Sequence, residues 1–447
     1  MATTHNYTRN DIRRIVKRER VSFLRLMFTD LLGTVKDVEV PVSQLENVLN
    51  DQIMFDGSSI EGFVRIEESD MYLKPDLSTW MVFPWSSERG KIARIICDVY
   101  TTDGKPFPGD PRNNLKQMIS LMKRRGYDSF EIGPEPEFFL FKRNSQNEPI
   151  LTPNDSISYF DLAPADAGAD CRREMVLDLE RIGFSVEAAH HEVAPGQHEI
   201  DFKYSSAINT ADNIQTFKLV VKSVAKKHHL YATFMPKPIT GISGSGMHIN
   251  MSLFDHHQNI FYDSHDSLGL SRKAYYFLGG ILKHARGLTA IGDPLVNSYK
   301  RLVPGYEAPV YIAWSPSNRS PLVRIPSATG SGTRLELRSP DPTANPYLIM
   351  SVILAAGLDG LKQHLIPPKS IDRNIYRLNA KERAADHIYH LPDNLRDALR
   401  AMKRDPLILK TLGRKLFNTF ITAKTLEFNS YSSQVSSWEI QHYLKRY

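Results

Sequence analysis

The segment 129–141 is the feature that most constrains how this chain folds. It reads SFEIGPEPEFFLF and places Glu135 and Glu137 two residues apart within an apolar, aromatic run. Side chains alternate along a β-strand, so residues two apart share one face. The apolar flank predicts a buried strand, where two neighbouring carboxylates repel each other unless a cation lies between them. We interpret the segment as a strand that carries a metal site; the alternative is a solvated strand end.

A second acidic segment, AHHEVAPGQHEIDF, carries Glu192 and Glu199 together with His190, His191 and His198. The Pro-Gly pair predicts a turn, and the resulting hairpin or tight loop would bring the two glutamates to one place. Any one of these histidines is more often a structural hydrogen-bonding residue than a ligand. The density of imidazole and carboxylate groups is what favours a metal site here.

Two later segments contribute further candidate ligands for a metal ion. GISGSGMHINM places His248 on a strand after a Gly-Ser-Gly loop, whose backbone amides could approach an anion closely, although a plain turn explains the glycines too. In TRLELR, the residues Arg334, Glu336 and Arg338 alternate on one strand face. This order of charges suits a phosphate beside a metal ion. A cross-strand ladder of salt bridges explains that motif equally well.

Together the segments supply five glutamates and one histidine: Glu135, Glu137, Glu192, Glu199, His248 and Glu336. An oxygen-rich set of this kind prefers Mg²⁺ or Mn²⁺ to zinc. Arg301, Arg319 and Arg324 are positive charges of the kind that a phosphoryl-transfer site needs. No Walker lysine loop is present, so we expect a nucleotide to lie against the sheet.

Composition narrows the class of protein. The chain has 447 residues, enough for two or three domains, and a net charge of +6 that is scattered along the sequence. Scattered basic residues favour a solvated surface over a nucleic-acid binder, which is the alternative. Two cysteines exclude a disulfide framework, and no apolar run reaches the length of a membrane span. The polar N-terminus lacks a signal sequence, so we expect a cytoplasmic protein.

The pattern of turns and apolar residues predicts two units. A helix beginning near Thr8 and Asp11 precedes strand-like runs at 22–29 and 34–40, and a second pair at 81–84 and 93–99. The turn-rich segment TTDGKPFPGDP, 101–111, then forms a boundary. Beyond it a helix starts at Asp110 and Pro111, and strands alternate with helices. The predicted strands are 131–141, 198–204, 246–254, 310–313 and 333–338, and the predicted helices are 171–182, 211–228, 271–290 and 344–363.

Taken together, the motifs resemble type I glutamine synthetase, in the short alpha subgroup of Gram-positive bacteria, along nearly the whole chain. The segments that carry the resemblance are MFDGSSIEGF, GPEPEFFLF, HHEVAPGQHEIDF, GSGMH, NSYKRLVPGYEAP, NRSPLVRIP, LELRSPDPTANPYL and AAGLDG. The resemblance implies an α+β fold with a small β-grasp domain, 15–101, and a large catalytic domain, 108–447, whose curved antiparallel sheet is flanked by helices. It also implies a dodecamer of two hexameric rings with active sites between subunits.

The resemblance assigns roles to residues. It implies one metal on Glu135, Glu192 and Glu199, and the other on Glu137, His248 and Glu336. Glutamate would contact Ser243, Gly244, Arg301, Glu307, Arg319 and Arg338. ATP would contact Glu187, Phe202, Lys203, Tyr204, Asn250, Met251, Ser252, Arg319, Arg324 and Arg334. Asp56 would deprotonate ammonium across the subunit interface, Glu307 would close over the site, and Arg65 would serve glutamine feedback inhibition. Ser243 departs from the family, which usually has asparagine there.

The implied reaction is the ATP-dependent joining of ammonium to the γ-carboxylate of glutamate through γ-glutamyl phosphate, in glutamine biosynthesis. An alternative of the same fold is a γ-glutamyl-amine ligase that acts on polyamines or ethanolamine; the presence of Asp56 and Glu307 favours ammonium. A catalytically inactive scaffold is a third interpretation, which the complete ligand set opposes. The tail 438–447 resembles the segment that packs between rings and, in relatives, engages nitrogen-responsive repressors. We expect no direct contact with nucleic acid or membrane.

Overall fold

A computed structural model describes residues 7–58, 60, 70–85, 90–305, 308–373, 375–386 and 388–447. Within these ranges no helix is both long enough and apolar enough to cross a bilayer. The described residues form two sheets with separate hydrophobic cores.

The N-terminal unit is a five-stranded sheet in the order β2-β1-β5-β4-β3. Its elements are α1 (Arg9–Glu19), β1 (Val21–Thr29), β2 (Val35–Pro41), α2 (Leu45–Leu49), β3 (Ile53–Asp56), β4 (Asp70–Val82) and β5 (Lys91–Thr101). A capping box between Thr8 and Asp11 starts α1, and Ile12 and Val16 face the core. The parallel pairing of β1 with β5 at the centre of the sheet agrees with the expected β-grasp domain.

Strand β4 is much longer than the predicted 81–84. In its first half, DMYLKPD, Met71 and Leu73 alternate as buried residues, but Lys74-Pro75-Asp76 interrupts the pattern, and the register with β5 shifts between Asp76 and Met81. The hairpin of β1 and β2 agrees with the prediction to within one residue at each end.

The second unit is built on a twelve-stranded sheet with a main path β17-β14-β15-β16-β12-β6-β9-β8. Its strands are β6 (Ser129–Arg143), β7 (Pro149–Pro153), β8 (Val186–His191), β9 (Gln197–Phe202), β10 (Ser205–Ser206), β11 (Leu230–Thr233), β12 (Met247–Asp255), β13 (Gln258–Asn259), β14 (Tyr311–Ser315), β15 (Pro321–Arg324), β16 (Leu335–Leu337) and β17 (Tyr389–His390). All pairs are antiparallel except β14 with β15, so the sheet is mixed rather than wholly antiparallel.

Helices cover this sheet and extend beyond it. They are α3 (Pro111–Arg124), α4 (Ala169–Arg181), α5 (Ala207–Lys227), α6 (Arg272–Gly292), α7 (Ser298–Arg301), α8 (Pro346–Gln363), α9 (Ala380–Ala385), α10 (Leu395–Arg404), α11 (Pro406–Ser432) and α12 (Ser437–Tyr443). Helices α6 and α8 cross closely, since a Cβ on Gly280 would lie 2.1 Å from the Ala356 carbonyl oxygen. The four helices predicted within 171–363 are α4, α5, α6 and α8.

A buried charge network joins the two units. Arg112 of α3 contacts Asp212 of α5 at 2.8 Å, and Asp76 and Asp98 of the N-terminal sheet at 2.8 and 2.7 Å. Because one guanidinium binds carboxylates from both units, the N-terminal sheet is held in a fixed position against the helices behind the large sheet.

Candidate active site

Strand β6 lies at the centre of the site because it pairs with β12 on one side and β9 on the other. His248 of β12 is directly opposite Glu135, and Glu199 of β9 is directly opposite Glu137. Cross-strand partners have neighbouring Cβ atoms, so the two glutamates of one strand face two different neighbours. The register therefore creates two clusters side by side.

The first cluster consists of Glu135, His248 and Glu336, which offer ligand atoms within 4.8 Å of one another. His248 Nδ1 lies 3.2 Å from Glu135 and 3.5 Å from Glu336. Burial opposes ionisation, but the hydrogen bonds with His248 and Asn250 lower the pKa of Glu135 to about 2. The first cluster thus keeps an ionised carboxylate beside an imidazole.

In the second cluster, His190, Glu192 and Glu199 offer ligand atoms within 4.8 Å of one another, and Glu137 lies directly opposite Glu199 on the neighbouring strand. His190 lies 3.5 Å from Glu192 and 3.6 Å from Glu199. Glu137 accepts hydrogen bonds from the Gln197 side chain at 2.7 Å and the Gly246 amide at 3.0 Å. The hairpin of β8 and β9 agrees with the predicted Pro-Gly turn and brings Glu192 beside Glu199.

This grouping differs from the one that the resemblance implied. Glu135 lies with His248 and Glu336, not with Glu192 and Glu199, and Glu137 takes its place beside the hairpin. The physical reason is the register: β6 presents Glu135 to β12 and Glu137 to β9. All six predicted residues line the same face, but the strand pairing divides them differently.

The electrostatics of the second cluster fit a divalent cation. Burial and the nearby charge of Glu192 raise the pKa of Glu137 to about 8. Burial, together with Asp201 and Glu137, raises the pKa of Glu199 well above its ordinary value. Carboxylates packed so closely repel one another, and a hard cation bound by their oxygens removes that repulsion. The donor set is therefore suited to Mg²⁺ or Mn²⁺.

Two histidines of the hairpin lie behind the second cluster instead of in it. His191 Nδ1 lies 2.6 Å from the Glu192 carbonyl oxygen, and its Nε2 lies 3.1 Å from Asp155. His198 Nδ1 accepts from Arg172 at 2.8 Å. Both imidazoles are buried, and these contacts hold the chain segments that carry Glu192 and Glu199. They support the hairpin, and together with Asp155 they also offer ligand atoms within 4.8 Å of one another.

A cavity of about 450 Å³ extends from Glu135 along the same sheet face. Most of the residues predicted to contact a nucleotide line it: Glu187, Phe202, Tyr204, Asn250, Met251, Ser252 and Arg334. Lys203, Arg319 and Arg324 are not among its lining residues. Arg334 donates to Asn250 at 2.9 Å, and Asn250 donates to Glu135 at 2.8 Å, so the cavity is linked to the first cluster.

Two of the arginines predicted to bind glutamate lie beside the clusters, Arg301 near Glu137 and Arg338 next to Glu336. Arg301 is buried and donates to the carbonyl oxygens of Ser339 and Arg338 at 2.5 and 3.2 Å. Arg338 donates to Glu336 at 3.2 Å, and Arg324 forms an ion pair with the same carboxylate. A Cβ on Gly246 would lie 2.4 Å from Arg301 Nη2, so glycine is needed for this approach.

The loop residues of this region are held by backbone contacts. Gly244 lies against Pro236, whose carbonyl oxygen would be 2.2 Å from an added Cβ, and its own carbonyl oxygen accepts from Gln197 at 3.2 Å. Ser243 is the half-exposed neighbour of Gly244.

Asp56 ends the edge strand β3, accepts from the Ser58 amide at 2.8 Å and is not buried in a single copy of the chain. Glu307 and Arg65 lie outside the described residues.

Comparison with known proteins decides the family. The model described as "Glutamine synthetase, catalytic domain" matches residues 108–443, and "Glutamine synthetase, beta-Grasp domain" matches residues 20–102. The chain belongs to the glutamine synthetase family. Members of this family are ATP-dependent and use a divalent metal ion, and the expected activity, glutamate–ammonia ligase, is confirmed.

Relatives of high identity support the same family over the full length. The glutamine synthetase of Staphylococcus aureus strain MW2 is 59% identical over 441 residues, covering 99% of each chain. That of Staphylococcus epidermidis is 58% identical over 442 residues, again covering 99% of each chain. The predicted Gram-positive type I form is thereby confirmed. These comparisons lend no support to the alternative of a polyamine ligase.

Solved structures share the fold. A complex of GmaS with ADP is 33% identical with a TM-score of 0.88, and covers 97% of this chain and 99% of that one. A cryo-EM structure of Plasmodium falciparum glutamine synthetase is 26% identical with a TM-score of 0.89, and covers 99% and 100%. The α+β architecture of a glutamine synthetase is thus confirmed.

Sequence reasoning missed several residues of the site. Glu131 and Asp201 line the nucleotide-sized cavity, and burial followed by the charge of Glu135 raises the pKa of Asp201 to about 7. Strand alternation from Glu135 would have revealed Glu131, which is four residues earlier on the same face. Tyr159 and Phe160 stack at 4.0 Å and contact His190 edge-on at 5.6 and 4.8 Å. They belong to no recognisable motif and could not have been found from the sequence.

Proposed function

We propose that each cluster holds one divalent cation, Mg²⁺ or Mn²⁺. Glu135, His248 and Glu336 would hold the first, and Glu137, Glu192 and Glu199 the second. The observation that carries the proposal is that Glu135, His248 and Glu336 offer ligand atoms within 4.8 Å of one another, as do Glu192 and Glu199 with His190. Glu137 lies directly opposite Glu199 on the neighbouring strand. When bound, the cations would reduce the repulsion between the phosphates of ATP and the carboxylate of glutamate.

We infer that ATP lies in the 450 Å³ cavity with its terminal phosphate at the Glu135 end. Gly133 lies between Glu131 and Glu135 on β6 and lines the cavity, where the lack of a side chain leaves room for the nucleotide. Arg334 would contact the nucleotide, while Arg324, which binds Glu336, would face the terminal phosphate. Glu187, Phe202, Tyr204, Met251 and Ser252 would complete the binding site, with Lys203 at its margin.

Glutamate would bind on the other side of the clusters. Arg301, beside Gly246 and Glu137, is suited to the α-carboxylate, and Arg338 beside Glu336 to the reacting γ-carboxylate. Gly244 and Ser243 would line the amino-acid end. Arg319 forms a side-chain hydrogen bond with Tyr159, which is also close enough to Glu192 and Glu199 to be affected by their charges. This position supports a role for Arg319 over the second cluster.

The residues then divide the chemistry between them. The γ-carboxylate of glutamate attacks the γ-phosphorus of ATP, ADP leaves, and γ-glutamyl phosphate forms with Arg338 and Arg319 countering its charge. Asp56 of a neighbouring copy takes a proton from ammonium, and ammonia attacks the acyl carbon as phosphate leaves. Glu307 would cover the intermediate, since water would otherwise hydrolyse it. The exposed position of Asp56 in a single copy supports its use at an interface.

We propose that the copies assemble as a homododecamer of two hexameric rings, as the family resemblance implies. The exposed apolar tail supports contacts between copies: Trp438 is 56% exposed and Leu444 is 70% exposed in one chain. The same tail would engage a nitrogen-responsive repressor. We also propose that glutamine inhibits the enzyme through Arg65 and that the protein is cytoplasmic.

The proposed mechanism is tested with two nitrogen substrates, ammonium and hydroxylamine, and with one pair of variants. Asp56→Ala should lose glutamine synthesis from ammonium but keep γ-glutamyl hydroxamate formation, because hydroxylamine is neutral near pH 7 and needs no general base. Mixing inactive Asp56→Ala and Arg338→Ala chains under reassembly should restore roughly a quarter of the activity, since each site draws on two copies. Equal loss with both acceptors would contradict the role of Asp56. No recovery on mixing would contradict shared sites.

A further inference from the structure

A second cavity, of about 590 Å³, lies between the N-terminal sheet and the helices behind the large sheet. Its walls come from the β1–β2 hairpin near Gly33 and Val35, from α5, from the Pro342–Thr343 loop and from α11. None of its lining residues belongs to the proposed metal or nucleotide sites. The cavity is therefore separate from the reaction centre.

Two lysines one helical turn apart face this cavity. Lys218 and Lys222 of α5 place their Nζ atoms 5.9 and 5.8 Å from the centre of the Phe234 ring. Residues four apart on a helix lie on the same side, so their ammonium groups are neighbours. Two like charges beside one aromatic ring repel each other and favour an anion between them.

The other cations of the cavity have carboxylate partners. Lys424 contacts Glu427 at 2.8 Å, and Arg25 contacts Glu39 at 2.8 Å. Among the described residues, no ion pair involves Lys218 or Lys222. Burial and the neighbouring charge of Lys222 lower the pKa of Lys218 to about 7, whereas Lys222 is exposed. Near pH 7.5 Lys222 therefore carries most of the positive charge on this wall, and an anion bound beside Lys218 would favour its protonation.

The remaining wall is largely apolar. Met27, Leu219, Phe234 and Leu295 line the space around the two lysines. This combination is typical of a site for a small molecule with one anionic group and an apolar body, in which a few polar groups fix the orientation. A fully hydrated inorganic ion would leave the apolar wall without a partner.

We propose that this cavity binds a small organic anion whose phosphate or carboxylate lies between Lys218 and Lys222 and whose apolar body packs against Phe234. The bound anion would also touch the Pro342–Thr343 loop, which follows Arg338 in the chain. It would contact Gly33 as well, whose position against Asn345 joins the N-terminal sheet to the same loop. Occupancy would therefore stabilise the arrangement of the two units next to the glutamate end of the active site.

Pyridoxal 5′-phosphate, an aromatic aldehyde that carries a phosphate, is a suitable probe of the full-length enzyme. At pH 7.5 the unprotonated Lys218 amine adds to the aldehyde carbon and water leaves, giving an imine. Borohydride then delivers hydride to the imine carbon, a proton adds to nitrogen, and the stable secondary amine is located by peptide mass mapping. Lys226, exposed on the same helix, provides the internal reference.

Lys218 should be modified at least about tenfold faster than Lys226, since far more of its amine is unprotonated than for an ordinary lysine. Phenyl phosphate or benzoate should slow this modification severalfold, whereas neutral phenol should not, and the stronger of the two anions identifies the preferred group. Lys222→Gln should slow labelling of Lys218, and Lys226→Gln should leave it unchanged.

Equal labelling of Lys218 and Lys226, or protection by phenol as strong as by the anions, would overturn the proposal. Glutamine synthesis by the unlabelled variants distinguishes a failure of the anion-site proposal from a failure of the proposed function. Lys218 and Lys222 are outside the reaction centre, so basal activity should persist in Lys222→Gln whether or not the anion site exists.

Discussion

Glu137 of β6 and Glu199 of β9 are directly opposite each other across an antiparallel strand pair, and among the described residues neither forms an ion pair with lysine or arginine. An arrangement of this kind is costly unless a cation binds both oxygens. It is the geometric basis for assigning the second metal to the β6–β9 side of the site.

The division of ligands into two clusters predicts which variants act together. Glu137→Gln and Glu199→Gln should weaken the same Mn²⁺-binding step by at least about tenfold, as loss of a direct ligand does, and Glu135→Gln should weaken the other step. Mn²⁺ titrations followed by electron paramagnetic resonance would measure both steps. Glu148→Gln, an exposed substitution, is the control. Loss of the same step in Glu135→Gln and Glu199→Gln would contradict the division.

Glu131 is predicted to position the nucleotide. It lines the cavity, and burial raises the pKa of its carboxyl group, although a hydrogen bond with Ser129 opposes that rise. Glu131→Gln should raise the KM for ATP by about tenfold, the value of one hydrogen bond to a charged group, with the KM for glutamate unchanged. Lys142→Gln, exposed on the same strand, should change neither constant. A rise confined to the glutamate KM would argue against this role.

Arg112 is predicted to stabilise the joint between the two units. Arg112→Leu leaves Asp76, Asp98 and Asp212 without their shared cation, so the free energy of unfolding should fall by about 3–5 kcal/mol. Lys116→Gln is a matched control, because Lys116 contacts Asp76 and Asp98 but is partly exposed, and its loss should cost about 1 kcal/mol or less. Urea unfolding followed by tryptophan fluorescence measures both. Equal effects would show that burial of Arg112 contributes little.

His284 predicts a pH dependence of stability. Burial opposes protonation, but hydrogen bonds to Asp405 at 2.7 Å and Asp359 at 3.0 Å raise its pKa. The raised pKa means that the folded protein binds the proton more tightly than the unfolded chain does. This stabilisation is therefore complete below the ordinary pKa of about 6.5 and is lost as pH rises through the higher folded value.

The thermal midpoint should therefore fall from pH 6 towards alkaline pH in the parent protein, and this part of the fall should be absent in His284→Gln. His265, exposed beside Asp263, provides the control variant His265→Gln, which should follow the parent. Identical pH profiles for all three proteins would contradict the assignment.

Local patterns in the chain predicted much of the fold. Apolar periodicity and caps indicated α3, α4, α5, α6 and α8, and the Pro-Gly turn indicated the β8–β9 hairpin. Strand β4 was mostly missed because its buried alternation, at Met71 and Leu73, is short and is interrupted by Lys74, Pro75 and Asp76. The network around Arg112 was also beyond prediction, since its partners are up to 100 residues away in sequence.

The types of residue in the motifs, five glutamates and one histidine with arginines nearby, already indicated a site for a hard cation and a phosphate. The way in which the ligands divide between two clusters depends on the folded strands. Residues two apart on β6 point to the same face, so alternation cannot separate Glu135 from Glu137. The registers of β6 with β12 and with β9 do separate them, because hydrogen bonding between strands fixes which side chains become neighbours.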